Sequence, residues 1–182
     1  MTLAEQFSES VVPDTWTIMG VRLQPFSVSH LLTLQRLGSP FVCGGNESPA
    51  DLLAALYVCS RRSIAQSLSR PGLLWRLKAW RAIFLTFVRP DVFVTRCKMF
   101  RDYIEESCKA PKHWLPPSDS SIEITSPFAL ILFRIGLASG YTREEALNAP
   151  IRELRFLQVS INEEKSQGKV RFVTDEERSM AQ

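Results

Sequence analysis

Helix start and stop signals recur along this chain, and they constrain its fold more than any other feature. Ser48-Pro49-Ala50-Asp51 combines an N-cap hydroxyl, a proline at the first helical position and a carboxylate near the positive end of the helix dipole. Leu52, Leu53, Leu56 and Tyr57 then share one face of a helix reaching Arg61. Ser27 caps a helix through Leu37, where Val28, Leu31, Leu32 and Leu34 keep helical spacing before Gly38 and Pro40 stop it. The stretch from Gly38 to Glu47 reads as a loop. Pro90 opens a helix whose buried stripe is Phe93, Cys97, Phe100 and Ile104. Ser126-Pro127 repeats the cap-plus-proline start for a helix running to Ser139, with Gly140 as its C′ residue. In Thr142-Arg143-Glu144-Glu145 the threonine caps the N3 amide and the N3 glutamate reaches back, so a capping box opens the next helix. After Ala149-Pro150 a longer helix spans Ile151 to Ser166.

Four further features complete the fold reading. Trp16 to Pro25 has β-branched positions around Gly20 and reads as a short hairpin or extended strand. Leu73, Leu77, Trp80, Phe84 and Phe87 form one stripe of an amphipathic helix after Pro71-Gly72, which assigns these aromatics to a core. Val170 to Val173 reads as a short strand, and Thr174 to Glu177 as a last capping box. The expected fold is mainly α: a compact multi-helix domain of about six to eight helices with a short N-terminal β-hairpin or extended segment. The expected organisation is a helical region over 1–110 containing a basic block, a Pro/Ser-rich linker over 111–125, and a helical region over 126–182, packed as one domain.

Composition removes several classes. A chain of 182 residues with 45% hydrophobic residues and a net charge of +3 is too apolar for intrinsic disorder. Four cysteines are too few for a disulfide scaffold, so Cys43, Cys59, Cys97 and Cys108 read as reduced, small core residues. Met1 to Thr15 carries no Lys or Arg, unlike a signal peptide. The longest apolar run, Phe128 to Leu137, is broken by Arg134 and falls short of the ~18–20 residues a membrane span needs. The expected location is the cytoplasm, with no membrane contact.

Charge is unevenly spread. Residues 1–60 have a net charge of −3, residues 61–112 carry twelve basic against four acidic side chains, and residues 113–182 have a net charge of −2. The central block interleaves Arg70, Arg76, Lys78, Arg81 and Arg89 with Trp75 and Trp80, and these five cations are the candidate partner-binding residues. Clustered cations can displace phosphate counterions and aromatics can stack bases, so a nucleic acid is the alternative partner. An acidic protein surface fits the same block.

Signals of catalysis are weak. His30 and Cys43 could pair as base and thiolate, but no spacing requires that contact. His30, Cys43 and Cys59 lack the close-set ligand pairs of a zinc site. Gly44-Gly45 has no following Lys or Arg to make a phosphate loop. Glu105-Glu106, Glu144-Glu145 and Glu163-Glu164 fall at helix starts or on polar faces, where solvated carboxylates are the rule. No catalytic, cofactor-binding or metal residue is therefore assigned, and a non-enzymatic role is expected.

Two stretches resemble known proteins. Val21-Arg22-Leu23-Gln24-Pro25-Phe26-Ser27-Val28-Ser29-His30-Leu31-Leu32-Thr33-Leu34, with Ser39-Pro40-Phe41 and Asp51 to Ser60, resembles uncharacterised proteins of tail-module genes in tailed phages and prophages. Gly140 to Leu154 is similar to the helical pattern of phage tail assembly chaperones. The resemblance implies a cytoplasmic or virion-associated assembly protein of a bacterial host cell. Such a protein works by protein–protein contact and holds a phage structural protein such as the tape-measure or a tail protein. It implies no individual functional residue, and a homo-oligomer stays open.

Overall fold

The structure is a computed structural model of the 182-residue chain. It describes residues 2, 5, 7, 8, 15–62, 66, 72, 75, 76, 80, 90–111, 113, 114, 127–167 and 169–173. The described residues are mainly helical, with seven helices and a short antiparallel hairpin near the N-terminus. The chain divides into two compact units, Thr15–Ser107 and Met1–Asp14 with Cys108–Gln182. No helix among the described residues is long and apolar enough to cross a membrane.

The Thr15–Ser107 unit opens with the hairpin. Strand β1 (Thr17–Ile18) pairs with β2 (Val21–Arg22), and Ile18 lies opposite Val21. Both turn residues, Met19 at φ 55° and Gly20 at φ 69°, take left-handed backbone, as the twist of a two-residue hairpin requires. Helix α1 (Val28–Arg36) follows its Ser27 cap, α2 (Pro40–Cys43) is a single turn, and α3 (Pro49–Cys59) starts at a Ser48–Asp51 capping box. Helix α4 (Pro90–Cys108) belongs to this unit through Ser107. Its core gathers Ile18, Leu23, Phe26, Val28, Leu34, Leu52, Leu56, Phe100 and Tyr103, all under 5% exposed. Phe26, Phe100 and Tyr103 form an aromatic cluster: the Tyr103 ring lies 5.7 Å from Phe26 and 5.6 Å from Phe100. The Tyr103 hydroxyl donates to the Gln24 carbonyl at 2.7 Å, and the Gln24 amide donates to the Cys59 carbonyl at 2.8 Å. The segment between β2 and α1 is thus tied to both α3 and α4.

His30 is the second tie, and it departs from the ordinary capping box. It occupies N3 of α1, where a glutamate or glutamine is usual. Its Nδ1 accepts the Ser27 amide at 3.2 Å, and its Nε2 donates to the Arg61 carbonyl at 2.6 Å. Those contacts fix the Nε2–H tautomer, because Nδ1 must keep its lone pair. Burial at 2% exposure lowers the His30 pKa below its usual value, although the carbonyls of Arg61 and Pro25 favour the charged ring. The unfolded chain therefore takes up the proton first. Stability from this ring is complete above the unfolded value of 6.5 and is lost as pH falls below it. Urea midpoints measured at neutral and mildly acidic pH should drop with acid in the wild type. In His30→Gln the drop should be smaller, after an initial cost of about 1–3 kcal/mol from buried groups left unpaired. Equal acid sensitivity in both proteins would rule out this role for His30.

The second unit contains β3 (His113–Trp114), α5 (Phe128–Ala138), α6 (Arg143–Asn148), α7 (Ile151–Lys165) and β4 (Arg171–Phe172). Strands β3 and β4 pair antiparallel, with His113 opposite Phe172. Leu132, Ala146, Ile151 and Leu154 are fully buried where the three helices meet. The Phe156 ring stacks on Phe172 at 4.7 Å and meets Phe7 edge-on at 5.3 Å. The expected capping box forms: Thr142 Oγ1 accepts the Glu145 amide, and the Glu145 carboxylate accepts from the Thr142 hydroxyl and then the Thr142 amide, which together hold the Glu145 carboxyl below its usual range.

Several expectations need correction. The stretch from Gly38 to Glu47 is not all loop, because Pro40 at N1 starts the one-turn α2. Residues 113 and 114, placed in the linker, form β3 through pairing with a strand far along the chain. Pro127 sits at the N-cap of α5 rather than inside the helix. Cys43 is exposed and Cys108 half-buried, so only Cys59 and Cys97 behave as core residues. Trp80 is 74% exposed and is not a core residue. Leu73, Leu77, Phe84, Phe87, most of the linker and the Thr174–Glu177 cap lie outside the described residues.

Candidate protein-docking surface

The five candidate cations are only partly visible. Arg76 is exposed on helical backbone, and Arg70, Lys78, Arg81 and Arg89 lie outside the described residues. Trp80, also helical, presents its indole to solvent. Other members of the basic block are already engaged. Arg101 forks onto the Glu47 carboxylate through two contacts of 2.6 Å. The Arg61 guanidinium stacks over the Tyr57 ring at 4.7 Å. Cations used this way have less to offer a ligand than free ones.

The candidate nucleophile pair does not form. Both His30 ring nitrogens are taken by backbone groups, and the Cys43 thiol lies 4.0 Å from the Gln35 carbonyl. The buried thiols are poor nucleophiles: burial and the Glu47 carboxylate push Cys97 up to about 12. Among the described residues no three His, Cys, Asp or Glu side chains come together.

A different surface stands out in the second unit. Helix α5, Phe128-Ala129-Leu130-Ile131-Leu132-Phe133-Arg134-Ile135-Gly136-Leu137-Ala138, is apolar on nearly every side. A helix of that composition ordinarily has every face covered. One side does pack: Ala129, Leu132 and Gly136 are buried against α6 and α7. Gly136 allows the approach, since a Cβ there would fall 2.9 Å from the Ala146 Cβ and 3.3 Å from Leu154 Cδ2. The opposite side stays in solvent, with Leu130 45% and Leu137 43% exposed.

Beside that face α5 and α7 enclose an open groove of about 300 Å³. Helix α5 contributes Ile131, Arg134, Ile135 and Ala138, and α7 contributes Gln158, Ile161, Asn162 and Lys165. Isoleucines line it, two amides edge it, and its only charges among the described residues are the cations Arg134 and Lys165. Both cations are exposed, and neither has an ion-pair partner among the described residues. Such a surface can bury apolar side chains and attract carboxylates at its rim.

The apolar run containing Arg134 is visible in the sequence, where its length excludes a membrane span. What the sequence does not reveal is that one face of it stays uncovered. No family model, no curated protein and no solved structure matches the chain.

Proposed function

We propose that this protein is a non-enzymatic assembly factor that acts through protein–protein contacts, in the manner of a phage tail assembly chaperone. The observation that carries the reading is the uncovered apolar face of α5, with Leu130 and Leu137 in solvent. Exposed apolar rows on an otherwise packed helix mark surfaces that a partner covers. The resemblance of Val21–Leu34 and Gly140–Leu154 to tail-module proteins supports a tape-measure or tail protein as the client.

The test is co-expression with phage tape-measure and tail proteins, followed by affinity purification. The wild type should retain one of them. Leu130→Gln/Leu137→Gln should lose it, although exposed substitutions of this kind alter stability by only about 0.5 kcal/mol. Retention of none of these proteins by the wild type would overturn the reading.

The exposure of both Trp80 and Arg76 favours a second reading, association with nucleic acid through the basic block. Salt-dependent gel shifts separate the two. Binding that falls steeply with salt and vanishes in Arg76→Glu/Lys78→Glu/Arg81→Glu supports nucleic acid, and absence of binding at low salt removes it.

A further inference from the structure

The two walls of the α5–α7 groove carry the same helical pattern. On α5 the lining residues fall at 131, 134, 135 and 138, and on α7 at 158, 161, 162 and 165. Both sets follow i, i+3, i+4, i+7, the spacing by which one helix presents a stripe to another. Two such stripes side by side form a trough whose complementary shape is a third helix. Leu130 and Leu137 extend the apolar surface along α5 beyond the groove. A small ligand would use the groove alone, whereas a helix would cover the groove and that flank together.

Charge narrows the occupant further. Among the described residues, the groove's charged side chains are Arg134 and Lys165, and no described carboxylate lines it. A helix with basic flanks would meet like charge on both walls, and a helix with acidic flanks would meet two exposed cations. We propose that the α5–α7 groove receives an acidic amphipathic helix of a partner protein, with its apolar stripe against Ile131, Ile135 and Ile161 and its carboxylates on Arg134 and Lys165. This deepens, and rests on, the protein-contact reading above.

The test uses the full chain and two synthetic helical peptides with one apolar stripe in common. One peptide carries glutamates on its flanks and the other lysines. The glutamate peptide should bind at least about tenfold more tightly, and the difference should shrink as salt rises. Arg134→Glu/Lys165→Glu should reverse the preference. Ala138→Trp, which fills the groove without altering its net charge, should block both peptides. Equal affinities, no binding of either peptide, or an unchanged preference in the charge-reversed protein would overturn the proposal. The co-expression experiment keeps the two levels apart. If the wild type and the charge-reversed variant hold a tail protein equally, the groove assignment fails while the assembly reading stands.

Discussion

Exchanging Gly136 for leucine should destabilise the second unit by about 3 kcal/mol, at the upper end of the range for overpacking a core. Glycine inside a helix ordinarily costs about 1 kcal/mol relative to alanine, so its presence in α5 needs a packing reason. The reason is Ala146. A Cβ on residue 136 would sit 2.9 Å from the Ala146 Cβ and 3.3 Å from its Cα. Those atoms belong to the α6 backbone or are fixed to it, so they cannot swing aside as a long side chain could. Leucine would push α5 away from both α6 and α7, whose Ala146 and Leu154 are fully buried. Gly136→Ala should fall between the wild type and Gly136→Leu in a denaturant series. If Gly136→Leu unfolds at the wild-type midpoint, the helices are not in this close contact.

Phe100→Ala should cost the Thr15–Ser107 unit about 3–5 kcal/mol. Phe100 is fully buried, 4.8 Å from the Phe41 ring in an edge-on contact and 5.6 Å from Tyr103. Tyr103 in turn touches Trp16 and Phe26, so a cavity at residue 100 loosens the rings that join the hairpin, α1 and α4. Phe100→Leu keeps most of the volume and should cost only about 1.5 kcal/mol. Equilibrium denaturation followed by near-UV circular dichroism checks both. A loss under about 1 kcal/mol for Phe100→Ala would mean that the site is not tightly packed.

The readable parts of this fold are those decided locally. Ser27, Ser48 and Thr142 each satisfy amides three residues away, and the helices they open begin where the sequence places them. Gly140, at φ 89°, ends α5 for an equally local reason. The unread parts depend on distant partners. Strand β3 exists because residues 113 and 114 pair with 172 and 171. Tyr103 joins the core because its hydroxyl finds the Gln24 carbonyl, and the stripe through Phe93, Cys97, Phe100 and Ile104 omits it. Trp80 fits an apolar stripe by spacing and is nevertheless exposed, since spacing identifies a face but not what covers it. The groove is hidden for the same reason. Each helix is legible alone, while the uncovered side of α5 depends on which side Gly136 turns toward α6.

Hydrogen exchange on the chain bound to the glutamate-flanked helical peptide tests the docking surface most directly. Compared with the free chain, amides over 130–138 and 158–165 should gain protection, because a covering helix excludes water and suppresses opening of α5 and α7. Protection confined to the basic block, with α5 and α7 exchanging as in the free protein, would contradict the account.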